Sequence, residues 1–137
     1  MNWLPIALSA LAIQGGWTWT LYEGDGPLVL AHEVPDTPQL RSVLECEPGS
    51  GVARLDLYEA GAAPGVAILS SGDATAQTES VAVSDHSRIA IRSDHPVFGQ
   101  FVLTGDLSVA VAGRAQSVKV QPAHLAKLRR FAELCGG

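Results

Sequence analysis

Two tripeptides of identical composition stand close together in the chain, Ser84-Asp85-His86 and Ser93-Asp94-His95. Serine, aspartate and histidine are the residue types of nucleophilic catalysis, where histidine takes the serine proton and the carboxylate orients the histidine. Consecutive residues do not form that relay, because chain neighbours point in different directions. A hydrolytic site would have to combine Asp85, His86, Asp94 or His95 with groups distant in sequence. The segment between the two tripeptides reads as a strand. At about 3.3 Å per residue it holds His86 and His95 up to ~30 Å apart, too far to share a metal ion. The simpler expectation is local. Each Ser-Asp pair supplies acceptors for a turn, and the second pair opens a helix.

Other chemistry-bearing residues are more scattered. His32 and His124 stand alone in sequence, and only the fold can give them partners. Gly49-Ser50-Gly51 lacks the lysine and the following helix of a phosphate-binding loop and reads as a hairpin turn. The chain holds no G-x-S-x-G elbow, no H-E-x-x-H and no calcium loop, so neither cofactor nor metal is expected. Glu45, Glu47, Asp56 and Glu59 fall on or beside adjacent expected strands. A glycosidase pair needs two carboxylates about 5–9.5 Å apart; without evidence of a cleft they read as a solvated acidic face. Trp17 and Trp19 share one face of a strand. They either anchor a partner or a sugar ring, or fill the core. Cys46 and Cys135 are the two cysteines, too far apart in sequence for a redox or zinc motif. They read as one structural disulfide in an exported chain, or as two buried thiols in a cytosolic one.

The elements that must position these residues are short. Residues 17–22 alternate bulky apolar with hydroxyl side chains, and a Gly/Pro turn separates them from a second strand at 28–33. Strands are expected at 40–47, 52–58, 65–70, 81–83 and 87–92. The polar stretch 71–80 reads as an exposed loop or a strand at a sheet edge. The rhythm then changes. Val97, Phe98, Phe101 and Val102 recur at helical spacing after Pro96, and Gly105 stops that helix. Residues 107–111 and 118–120 return to strand period. A last helix opens at Pro122 and lines up Leu125, Leu128, Phe131, Ala132 and Cys135. About eight strands, mostly without intervening helices, predict a mainly β fold. It is an antiparallel sandwich or a partly open barrel, with a short inserted helix and a C-terminal helix.

Composition narrows the class. The chain has 137 residues, 47% hydrophobic and 17% charged, which excludes an intrinsically disordered polymer and fits one domain. Its net charge of −5, with two lysines in all, argues against nucleic acid as a partner. That charge is uneven: residues 1–40 carry acids and no base, whereas five of the nine bases lie in 107–137. Residues 1–16 carry no charge. Their apolar run is too short for a membrane span. It has the length of a signal-peptide core and a small-x-small site at Ala10-Leu11-Ala12, though no basic residue precedes it. The alternative is a first strand or short helix of the domain at 17–137.

The last third has a distinctive order: H-P-V-F-G-Q-F-V-L-T-G-D-L-S-V-A-V-A-G at 95–113, then V-K-V-Q-P-A-H-L-A-K-L-R-R-F-A-E-L-C at 118–135. This pattern resembles small exported β-proteins of uncharacterised function common in alphaproteobacteria, and more loosely the invasion-associated locus B family. The resemblance implies a periplasmic or envelope-associated β domain and transfers no catalytic residue. The expectation is a non-catalytic domain that binds a protein or envelope component as an accessory or inhibitor. A small hydrolase using a His/carboxylate pair and a cytosolic structural or regulatory domain are the alternatives.

Overall fold

The computed structural model describes residues 16–136. The apolar run at 4–13, read above as a signal-peptide core, lies outside the described residues.

Nine strands form one antiparallel sheet: β1 (Thr18–Tyr22), β2 (Leu28–Glu33), β3 (Leu40–Cys46), β4 (Val52–Leu57), β5 (Gly65–Ser71), β6 (Ala74–Val83), β7 (His86–Arg92), β8 (Asp106–Val111) and β9 (Arg114–Lys119). Their order is β1-β2-β3-β4-β7-β6-β5-β8-β9, and the sheet curls into a half-barrel. Helix α1 (Pro96–Thr104) leaves the end of β7, and α2 (Leu125–Gly136) follows β9 through a 3₁₀ turn at Pro122–His124. Both helices therefore arise at the same end of the sheet.

Period-two patterning explains the concave face. Leu30, Leu44, Leu55, Ile89 and Ser80 lie opposite one another across β2, β3, β4, β7 and β6, and all are buried. Leu69, Val109 and Val118 continue the layer. The helices close it with Val97, Phe98 and Phe101 from α1 and Leu128 and Phe131 from α2. A one-residue slip of any central strand would turn this layer to solvent, so burial sets the register.

The stretch 71–80 is neither loop nor edge. From Ala74 on it belongs to β6, which lies between β5 and β7 in the sheet interior. The inward positions of β6 are Ala74, Ala76, Thr78 and Ser80. α1 packs against this strand, and small side chains let the helix lie close. Small and hydroxyl residues on the buried side erase the apolar alternation by which a strand is read.

Two devices fix the helices. Gly105 takes a left-handed backbone (φ 80°) after α1, and its N–H donates to the Phe101 carbonyl. Its own carbonyl accepts from Val120 N–H at 2.7 Å, so the helix stop is also the first rung beyond β9. At the end of α2, Gly49 N–H donates to the Leu134 carbonyl at 2.9 Å and Gly51 N–H to the Cys135 carbonyl at 2.8 Å. The β3–β4 turn thus satisfies carbonyls that a helix end leaves unpaired. The Cys46–Cys135 disulfide locks the same junction. This is the bridge from an early strand to the last turn that the cysteine count favoured.

Two outcomes follow. A Cβ at Gly105 would sit 2.2 Å from the Val120 carbonyl oxygen. Gly105→Ala should lower stability by about 2 kcal/mol or more in urea unfolding; an unchanged midpoint would contradict the close approach. Reduction should cost about 2–5 kcal/mol. Thiol titration of the denatured, unreduced protein should find no free thiol.

Candidate functional site

β4 and β5 are separated in the sheet by β7 and β6, so the link between them must cross two strands. It does so at the end of the half-barrel away from the helices. Buried hydroxyls hold it there. Ser87 Oγ accepts from Ala63 N–H at 2.9 Å and donates to the Gly61 carbonyl at 2.8 Å; Ser80 Oγ donates to the Ala63 carbonyl at 2.7 Å. Residues 58–64 therefore form a plug across one side of the barrel mouth. Ser87, the serine beside His86, is committed to this plug.

The other side of the mouth is a seam between β1 and β9. Antiparallel neighbours alternate in direction, so with nine strands the first and last run the same way. No β1–β9 ladder forms among the described residues. A side chain bridges them instead: Trp19 Nε1–H in β1 donates to the Lys119 carbonyl in β9 at 3.0 Å. At the mouth, Arg114 Nη1 donates to the Ala60 carbonyl at 2.8 Å, tying the start of β9 to the plug. Between these two ties lies a groove of about 310 Å³ lined by Glu59, Ala60, Ala115, Gln116 and Ser117. Gln116 is 8% exposed, and among the described residues neither of its carboxamide atoms has a hydrogen-bond partner.

Aromatic and cationic side chains gather beside the seam. His32 stacks on Trp19 with ring centres 4.6 Å apart and meets Trp17 edge-on at 5.4 Å. The Arg41 guanidinium lies 4.0 Å over the Trp17 ring. Lys127 Nζ donates to the Trp19 carbonyl at 2.7 Å and to His124 Nδ1 at 3.2 Å. Burial pushes the His32 imidazole below its ordinary pKa, and the charges of Arg41 and His124 push it further. Burial and then Lys127 do the same to His124. Two histidines with no sequence neighbours of note thus belong to one cluster. Trp19 is fully buried, whereas Trp17 remains half-exposed beneath Arg41.

The two tripeptides part company. His86 starts β7 and His95 sits beyond its far end. His86 is buried on the convex face, stacked on Tyr58 at 4.3 Å. Its Nδ1 is 3.2 Å from Asp85 Oδ1, and its Nε2 is 3.6 Å from Asp56 Oδ2. Asp56 is itself held by a two-pronged contact from Arg88, at 2.8 and 3.1 Å. That hydrogen bond raises the Arg88 pKa, while burial first and Asp56 second raise that of Tyr58. Ser87 faces the opposite side of the strand, so His86 has no adjacent nucleophile there. Asp94 forms an exposed two-pronged pair with Arg92, whose hydrogen bond holds the Asp94 pKa down.

The N-cap of α1 is His95, whose Nδ1 accepts from Val97 N–H at 3.0 Å, and not the preceding Ser-Asp pair. Histidine is an unusual cap, and the Ser and Asp beside it are commoner ones, so the sequence points to them instead. Of the four acids read as a solvated face, Glu47 and Glu59 are exposed, but Glu45 and Asp56 are not free in solvent. Glu45 pairs with Arg54, and Asp56 is buried against Arg88. The cross-strand register, invisible in the sequence, places each acid opposite or near its arginine.

Among the described residues, no group of three or more His, Cys, Asp or Glu side chains is arranged to hold a metal. No family model, no curated protein and no solved structure matches the chain.

The histidine cluster sets a pH dependence. The fold binds the His32 and His124 protons less readily than the unfolded chain, whose imidazoles titrate near 6.5. Unfolding therefore takes up protons as pH falls through about 6.5, and stability present above that pH declines below it. The urea midpoint should hold from pH 8 to about 7 and fall toward pH 5.5. His32→Gln should flatten the curve; an equally steep decline in that variant would contradict the assignment. Trp19→Phe, which loses the bond to Lys119, should cost about 1–2 kcal/mol.

Proposed function

We propose that this chain is a non-catalytic, disulfide-bonded domain of the periplasm or cell envelope that binds another protein at its barrel mouth. The observation that carries the reading is the open seam, where β9 borders a groove that no strand of the described residues fills. Proteins ordinarily cover, shorten or charge a sheet edge, because its unpaired backbone groups recruit other chains. Here the edge is set beside a groove of substantial volume with a partnerless buried carboxamide at its wall. These features support the reading of this edge as a binding surface.

Supporting features agree. The Cys46–Cys135 bond is compatible with an oxidising compartment. Among the described residues, no helix is long and apolar enough to cross a membrane. The pattern at 95–135, which resembles small exported alphaproteobacterial β-proteins, fits the same setting.

Site-specific photocrosslinking in envelope preparations tests the reading. A photoreactive residue at Glu59 or Ala115 should give a discrete adduct. The same residue at Glu133, on the exposed side of α2, should not. Equal labelling from all three positions, or none from the mouth, would remove the support for this surface.

A further inference from the structure

The edge of β9 has a readable hydrogen-bond pattern. Val120 N–H donates to the Gly105 carbonyl, so residue 120 faces β8. The Lys119 carbonyl accepts from Trp19, so residue 119 faces the seam. Both N–H and C=O of a strand residue point to one side, and the side alternates along the strand. Residues 114, 116 and 118 therefore pair with β8, while Ala115 and Ser117 point their N–H and C=O into the groove. No hydrogen bond to these groups is formed by any described residue. Two residues thus offer two donors and two acceptors, with Gln116 between them.

We infer that this edge takes one extended tripeptide segment of a partner protein as an added antiparallel strand, its central residue a small polar side chain facing Gln116. The inference rests on the protein-binding reading above and specifies the chemistry of the partner. In an antiparallel pair, a residue exchanges both backbone bonds with the residue directly opposite. The outer residues of the segment would pair with Ala115 and Ser117. The central residue would lie opposite Gln116, and opposite residues of antiparallel strands project to the same face. Gln116 faces inward, opposite Val109, and is buried. Its carboxamide, one donor group and one acceptor, is matched by Asn, Ser or Thr and left unsatisfied by Leu or Val.

The groove favours a single strand over a second barrel. Glu59 and Ala60 form a wall facing the edge, and Arg114 ties that wall to β9. An extended segment fits between two walls, whereas another whole sheet would meet the plug first. The ladder stops at Ser117, because the next outward carbonyl, that of Lys119, is already taken by Trp19.

The test uses the intact protein, isotope-labelled for NMR, and end-capped octapeptides of alternating Val and Thr with one central position varied. At about millimolar peptide, members with central Asn, Ser or Thr should shift the Ala115 and Ser117 amides and the Gln116 side-chain NH₂. Those with central Leu should bind at least tenfold more weakly. Ser117→Pro removes one groove-facing N–H and leaves the β8 ladder intact, as proline at an edge strand allows; it should reduce binding at least tenfold. Gln116→Leu should reverse the central preference toward Leu. Binding that survives Ser117→Pro, shifts confined to other surfaces, or no binding by any member would overturn the inference. The reading as a protein-binding mouth fails separately, if crosslinking from Glu59 and Ala115 yields no adduct.

Discussion

An odd number of antiparallel strands governs the described residues. Their nine strands curl toward closure, yet β1 and β9 run in the same direction and form no ladder with each other. The fold closes the gap with one indole. Trp19 is buried against the core, donates to the Lys119 carbonyl, stacks on His32 and offers its own carbonyl to Lys127. These contacts converge on one residue, and they join the first strand, the last strand and the last helix. The seam is held open toward the mouth because that tie lies at the other end of β9.

The disulfide and the β3–β4 turn complete the support. They fix the C-terminal end of α2, while Lys127 fixes its first half to β1 and Arg130 pairs with Glu23 in the β1–β2 turn. The acidic beginning and the basic end of the chain thus meet in part across this helix. Surface pairs such as Arg130–Glu23 contribute little by themselves. The covalent bond and the capped carbonyls keep the helix seated, and the helix keeps Trp19 in place.

Much of the fold is legible in the sequence, and the places where it is not have a common cause. β1 to β5, β7 and both helices follow from periodicity, Pro96, Gly105 and the apolar stripe of α2. β6 is hidden because a closely packed helix demands small inward residues at Ala74, Ala76 and Ser80. The mouth is hidden for another reason. Ser80, Ser87 and Gln116 look like ordinary strand polar residues, and only the crossing of the 58–64 plug gives the serines partners. Gln116 is left without one among the described residues. The paired Ser-Asp-His tripeptides drew notice by composition, but His86 and His95 lie at opposite ends of β7. His32 and His124, unremarkable by spacing, are brought together by the fold.

Among the described residues, the outer edge of β9 is unpaired. Residue-resolved amide hydrogen exchange measures this directly. Within β9, the Gln116 and Val118 amides, bonded to β8, should be strongly protected, and the Ala115 and Ser117 amides should exchange rapidly. Protection that alternates in this way is the predicted result. Uniform protection of 115 through 118 would mean that the seam is closed, and the edge would then not be available to a partner.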